Sequence, residues 1–228
     1  MSFSNADVEQ FFDEIALTYD EKRNKRYLRK LKENLLYFYD TFLNKQVQKG
    51  RFLDLGCGTG EVLEIASRFG FKELWGTDIS QEMAHIASQK NPKATVKMDN
   101  LEKSSLPKNY FDLVFCLDVF EHLCSDKIGM DTIMAILRKK GIALIGVSNP
   151  VYDWLFPILE FMGFTVKERF HKNANLKKLA LRKDIKLLYS GFLITTLLHV
   201  SPKTDFLLSK IPLLRSFGFE KMIVIQKR

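Results

Sequence analysis

One octapeptide constrains the fold of this chain more than any bulk property. Leu53-Asp54-Leu55-Gly56-Cys57-Gly58-Thr59-Gly60 follows a short apolar run at 51–55 and precedes a helix-like segment at 61–69. Glycine has no Cβ, so these glycines permit a tight turn and a close approach of ligand to backbone. A strand leading through such a turn into a helix points backbone N–H groups and a helix N-terminus at an anionic or carboxylate-bearing ligand. The spacing departs from the dinucleotide fingerprint G-x-G-x-x-G/A, because Glu61 stands where a small residue is required. An acid at a helix start also repels a pyrophosphate. The loop therefore suits a nucleoside ligand without a diphosphate.

The surrounding pattern says what the loop is mounted on. Short apolar runs at 51–55, 73–77, 94–98, 112–117 and 142–147 alternate with helix-like segments at 61–69, 81–90 and 131–137. Strands alternating with helices imply parallel βαβ units and an α/β, doubly wound sheet. The unbroken apolar run at 112–117 suits a strand buried on both faces. Residues 8–43 contain no Gly or Pro, and Leu28, Leu31, Leu35 and Leu36 recur at helical spacing, so this stretch reads as one helical region. Beyond Pro150 the pattern loosens. It predicts an aromatic amphipathic helix at 151–162, a helix at 176–182, a strand at 185–189, an irregular stretch at 192–219 and a last strand at 222–226. The whole reads as a single domain over 1–228: a helical cap at 1–48, a ligand-binding core at 49–150, and substrate-side additions with the last strands at 151–228.

Two further acids fall at strand ends. Asp78 closes the second strand, in Trp75-Gly76-Thr77-Asp78-Ile79-Ser80, and can accept two hydrogen bonds from a ribose diol. It also suits a helix N-cap. Asp99 follows the third strand, where a carboxylate can accept from an exocyclic adenine amine with Met98 or Leu101 beside the base. Asp99-Asn100 equally suits a turn. Ligands of open α/β sheets bind at the carboxyl ends of strands, where all three elements fall.

These residues, together with Phe111-Asp112-Leu113-Val114-Phe115-Cys116-Leu117-Asp118-Val119-Phe120-Glu121-His122-Leu123, resemble the class I S-adenosylmethionine-dependent methyltransferases over about residues 10–150. The resemblance implies a seven-stranded, mostly parallel, Rossmann-like sheet with a reversed last hairpin and helical additions. It implies S-adenosylmethionine as cofactor. Asp54, Gly56, Cys57, Gly58 and Gly60 would surround its methionine part, and Asp78 and Ile79 its ribose. Asp99, Asn100 and Leu101 would lie near the adenine, with Leu117 beside the cofactor. Tyr19 resembles an N-terminal tyrosine that covers it.

Asp118, Glu121 and His122 follow the fourth strand. If helical, they share one face at i, i+3 and i+4. Two carboxylates and an imidazole suit Mg²⁺ or another hard divalent ion. They also suit acid–base catalysis, with His122 as the base. Asp118 and Glu121 are equally spaced as a capping box. The segment resembles the E-x-x-E-H motif of ubiquinone-pathway O-methyltransferases and of terminal 2′-O-methyltransferases of small RNAs, with Asp118 where Glu is usual. That resemblance implies a metal held by Asp118, Glu121 and His122, with His171 as a second imidazole. Methylation of an oxygen on a small or lipophilic metabolite is the expected reaction, with N- or C-methylation, RNA 2′-O-methylation or a non-catalytic cofactor-binding protein as alternatives.

Composition sharpens the expected partners. The chain carries a formal net charge of +8, yet residues 165–228 hold 14 Lys and Arg against 4 Asp and Glu. The charge therefore belongs to the C-terminal quarter. At 192–219 it is interleaved with Phe206, Leu207, Leu208, Leu213 and Leu214, which suits peripheral contact with an anionic membrane or a solvated face over an apolar patch. RNA is less favoured because no RNA-binding module is visible, and DNA is not expected. Trp154, Phe156, Phe161 and Phe164 suit either an aromatic lid or an ordinary core helix. Cys57, Cys116 and Cys124 are odd in number and lack C-x-x-C spacing, which argues against a disulfide scaffold. With no signal segment and no apolar run of membrane-spanning length, a cytoplasmic setting is expected, with attachment to the inner face of a membrane as an extension of it.

Overall fold

The computed structural model describes residues 4–23, 25–148, 176–194, 201–204 and 220–228. At the centre of its sheet lies the unbroken apolar run expected at 112–117. It forms β4 (Phe111–Leu117), whose residues are buried on both faces up to the last. On one side β4 pairs in parallel with β1 (Arg51–Leu55), and β1 with β2 (Glu73–Asp78), then β3 (Thr95–Met98). On the other side it pairs in parallel with β5 (Leu137–Ser148). β7 (Glu220–Lys227) runs antiparallel to both β5 and β6 (Ile185–Ile194). The order is β3-β2-β1-β4-β5-β7-β6. This is the seven-stranded, mostly parallel sheet with a reversed last hairpin. The chain winds outward from β1 to β3 and returns to β4 on the other side of β1. The switch in strand order therefore falls between β1 and β4, where open α/β sheets form a crevice.

Alternate residues of each strand feed two apolar layers. Leu53, Leu55, Val114 and Cys116 face Met130, Ile133 and Ile136 of α5 (Asp126–Ile136). Phe52, Leu113 and Phe115 face Leu31, Leu35 and Phe38 of α2 (Lys25–Phe38) and Leu63 of α3 (Glu61–Ala66). Phe115 meets Phe52 edge-on at 5.1 Å between ring centroids. Covering both faces is what lets a parallel strand be apolar throughout.

Several boundaries differ from expectation. The predicted single helical stretch is α1 (Asn5–Lys22), α2 and a π turn at Tyr39–Leu43. The break comes at Arg23, whose extended backbone (φ −76°, ψ 137°) ends α1 while its N–H still reaches the Tyr19 carbonyl. No Gly or Pro marks this break. α1 lies against α4 (Gln81–Lys90), whereas α2 packs on β6 and α3, and one straight rod cannot serve both. α1 starts with a capping box in which Ser4 and Asp7 satisfy each other's backbone N–H. α5 begins five residues before the expected start, because Ser125 caps it by accepting from the Ile128 N–H. A short helix α6 (Leu176–Leu179) occupies the first half of the expected one. The expected aromatic helix at 151–162 and most of 192–219 lie outside the described residues. No helix among the described residues is long and apolar enough to cross a membrane.

Candidate functional site

The glycine loop leaves β1 with Gly56, Gly58 and Gly60 at φ +76°, +50° and +88°. These are left-handed values that cost an L-residue roughly 1–2 kcal/mol each. The Gly56 and Cys57 N–H groups both donate to the Thr77 carbonyl of β2, at 2.7 and 2.8 Å. A Cβ on Gly56 would meet Val119 Cγ2 at 2.2 Å, whereas one on Gly58 would point into open space. That space is a cavity at the switch point. Asp54 to Thr59, Asp78 and Ile79, Asp99 to Leu101, and Leu117 to Val119 line it, with His122 and Leu123. Asn5, Val8, Phe12, Tyr19 and Arg23 bring α1 across it.

The structure thus brings Tyr19, Asp54, Gly56, Cys57, Gly58, Asp78, Ile79, Asp99, Asn100, Leu101 and Leu117 around one cavity. Gly60 is not part of the wall. It sits behind, as the residue preceding α3, and its carbonyl accepts from Asn91 Nδ2 at 3.0 Å.

The acids of the cavity differ in their state. Asp78 is buried. Its Oδ2 accepts from the Gly58 N–H at 2.8 Å and its Oδ1 from the Ser80 N–H at 3.0 Å. Burial raises its pKa, while those bonds and the nearby His122 pull it down. The N-cap of α4 is Ser80, not Asp78. Asp54 is more confined. It is 2% exposed, and its Oδ2 has no hydrogen-bond partner among the described residues. Burial, then Asp78, pushes its pKa well above the carboxylate range. A buried acceptor of this kind awaits a donor from a ligand. Asp99 lines the cavity, but its carboxylate is engaged by Ser104 Oγ at 2.5 Å and by Ser105 N–H and Oγ at 2.9 and 2.8 Å. The turn reading of Asp99 is the one its hydrogen bonds express.

The expectation for Asp118, Glu121 and His122 is corrected. Phe120–His122 is a single 3₁₀ turn, and Asp118 lies before it in left-handed backbone at φ +53°. The α-helical spacing that would align the three does not exist, and Asp118 does not cap the turn, which has no side-chain cap. Asp118 and His122 line the cavity, whereas Glu121 turns behind it. Glu121 Oε1 accepts from the Ser148 N–H of β5 at 3.1 Å, and Oε2 has no partner among the described residues. Ser148 Oγ reaches Asp118 Oδ1 at 3.4 Å. Among the described residues no three His, Cys, Asp or Glu side chains converge so as to hold a metal ion. His171 lies outside the described residues. Among the described residues the donor set does not fit a divalent ion.

Glu121 carries a testable pH signature. Burial first, then the Asp118 charge, pushes its pKa from 4.5 up to about 8, against the pull of His122. The folded chain then holds this proton more tightly than the unfolded chain. The resulting stability is fully present below 4.5 and is lost as pH rises through about 8. Glu121→Gln, of the same shape and always neutral, should flatten that loss. Melting curves that fall equally for both proteins across this range would show that Glu121 is ionised in the fold.

Sequence reasoning missed the contribution of α1. Asn5, Val8 and Phe12 share a helical stripe with Tyr19, yet of these only Tyr19 is expected at the cofactor from the sequence. Phe12 stands edge-on to His122 at 5.4 Å and to Tyr19 at 6.5 Å. Arg23 Nη1 pairs with Glu61 Oε2 at 2.7 Å. Glu61 is therefore partly neutralised, which weakens the electrostatic argument against a diphosphate and leaves the glycine spacing to carry it.

Residues 53–145 match the family model described as a methyltransferase domain. The same segment holds the glycine loop, Asp78, Asp99 and His122, and the whole sheet has that topology. The chain has the fold of the class I methyltransferases. It is 29% identical over 103 residues to a ubiquinone biosynthesis O-methyltransferase of Bradyrhizobium diazoefficiens, covering 43% of this chain and 40% of that protein. It is 26% identical over 145 residues to a ubiquinone/menaquinone biosynthesis C-methyltransferase of Paraburkholderia phytofirmans, covering 59% and 60%. The chain thus spans about half the length of these curated relatives. The crystal structure of the magnesium protoporphyrin IX methyltransferase of Synechocystis PCC 6803, with bound SAH, shares the fold. Its TM-score is 0.65 at 14% identity, over 99% of this chain and 100% of that one.

Proposed function

We propose that this methyltransferase domain uses S-adenosylmethionine to methylate an oxygen of a small or lipophilic metabolite. The observation that carries the reading is a single cavity wall. On it the glycine loop, the orphaned Asp54 carboxyl and the bonded Asp78 carboxylate stand beside His122. Asp78 would accept from the ribose hydroxyls. Asp54 would hold the amino-acid end, and Ile79, Asn100 and Leu101 would flank the base. Bound there, S-adenosylmethionine supplies an electrophilic methyl group.

The rest is done by the chain. The wall orients the acceptor oxygen in line with that methyl group, which lowers the barrier by prepaid entropy. His122 takes the hydroxyl proton, the role an imidazole fills near neutral pH. Phe12 and Tyr19 of α1 line the same cavity. His122 gives an acceptor that must lose a proton a base beside it, and the oxygen reading takes that acceptor to be a hydroxyl.

Calorimetric titration with S-adenosylhomocysteine should give saturable binding, and its absence would end the cofactor assignment. Incubating the protein and isotope-labelled cofactor with extract should then yield a labelled product. A label on nitrogen or carbon would replace the oxygen reading. We further propose that the basic C-terminal quarter brings the enzyme to anionic membranes, where lipophilic acceptors reside. Co-sedimentation with phosphatidylserine vesicles that weakens with salt would support this. Salt-sensitive RNA gel shifts without vesicle binding would overturn it.

A further inference from the structure

α1 does more than cover the cavity. Two of its acids, Asp13 and Asp20, lie seven residues apart, about two turns along nearly the same stripe. Asp20 Oδ1 accepts from Thr59 Oγ1 at 2.6 Å, and Oδ2 pairs with Lys90 at the end of α4. Asp13 Oδ1 accepts from Ser80 Oγ at 2.5 Å and from the Glu82 N–H at 3.2 Å at the start of α4. Thr59 and Ser80 are both buried, at 2% and 0% exposed. Thr59 follows Gly58, whose N–H bonds Asp78. The Ser80 N–H bonds the other oxygen of the same carboxylate.

Each acid of α1 therefore grips the residue next to a cofactor-facing group. This placement matters because of the glycines. A loop with left-handed residues at 56, 58 and 60 loses much conformational entropy when held in one shape. A charge-assisted bond to its one hydroxyl is the strongest restraint a neighbouring helix can add. Restraint present before the ligand arrives raises affinity by removing an ordering cost from binding.

We infer that Asp13 and Asp20 are positioning residues that preorganise the two cofactor-binding loops from α1, Asp20 through Thr59 and Asp13 through Ser80. This rests on the cofactor reading above and names residues that touch neither cofactor nor acceptor. Asp20→Ala and Thr59→Val should each weaken S-adenosylhomocysteine binding about tenfold, the scale of one charge-assisted hydrogen bond. The double variant should lose little more than either alone, since both remove the same contact. Thr59→Ser and Asp20→Asn each keep a donor–acceptor pair and should restore most of the affinity. Asp13→Ala should act likewise through Ser80.

In the ligand-free chain, Asp20→Ala and Thr59→Val should speed amide exchange at 56–60, with the central strands unaffected. Losses of affinity that add in the double variant, or unchanged exchange at 56–60, would overturn the inference. If Asp20→Ala does not fold, the Thr59→Val and Thr59→Ser comparison decides alone. Failure of the unaltered chain to bind S-adenosylhomocysteine would remove the cofactor reading. The exchange comparison, which needs no ligand, would still decide the role of α1.

Discussion

Asp78→Ala should reduce affinity for S-adenosylhomocysteine by about 10²–10⁴-fold, because two hydrogen bonds to a charged group are worth roughly 1.5–3 kcal/mol each. The reasoning starts from its position. Asp78 ends β2, is 8% exposed, and holds the Gly58 and Ser80 N–H groups on its two oxygens. A carboxylate has lone pairs to spare beyond these two bonds, and the remaining ones face the cavity. Removing it deletes the acceptors for the ribose and releases the Gly58 N–H from its fixed direction. Asp78→Asn is no remedy. One of its two positions becomes an NH₂ that confronts either the Gly58 or the Ser80 N–H. The fold should survive both changes. Burial raises the Asp78 pKa, so the folded state gains little from its charge at neutral pH. Calorimetry paired with a melting curve checks both halves. Unaltered affinity in a folded Asp78→Ala protein would remove Asp78 from the ribose.

His122→Ala should lower turnover of the labelled acceptor by about 10²–10⁴-fold, the usual contribution of a positioned general base. His122 is 7% exposed, lines the cavity, and is braced edge-on by Phe12. Its neighbour Glu121 cannot replace it, since that side chain is turned onto the β5 backbone. S-adenosylhomocysteine affinity should change far less than turnover, because the loop and Asp78 remain. The acid limb of the pH–rate profile should disappear with the imidazole. A folded His122→Ala protein with undiminished turnover would show that the acceptor needs no base here, which favours an acceptor already deprotonated.

The site was partly readable before any coordinates. The strands β1 to β4 fall within a residue of the local pattern, because each signal is local, whereas β5 starts five residues before the expected 142–147. The unbroken run of β4 and the glycines after β1 are visible in a window of ten residues. Asp78 and Asp54 were readable for the same reason, since a strand end fixes where its last acid points. Asp99 lines the cavity, but its carboxylate is taken by Ser104 and Ser105, five and six residues on, a pairing the local pattern does not announce.

The errors share a cause. Asp118, Glu121 and His122 were aligned by assuming an α-helix. The chain instead enters a left-handed residue and a short 3₁₀ turn, pinned from outside by Ser148 and Gly146 of β5. The contribution of α1 was missed because nothing in its own sequence says which partner its stripe meets. The break at Arg23 had no Gly or Pro to announce it.

What the sequence determined by itself is the parallel α/β layering and the loop that faces a nucleoside-like ligand. Periodicity and backbone freedom are properties of neighbouring residues. What only the tertiary structure decided is which polar groups share the cavity and which are spent elsewhere. It left Asp54 Oδ2 without a hydrogen-bond partner among the described residues, turned Glu121 away from the site, and laid α1 across the glycine loop. Those outcomes depend on contacts between residues 27 to 67 positions apart, and burial and hydrogen-bond competition at such separations leave no mark on local sequence.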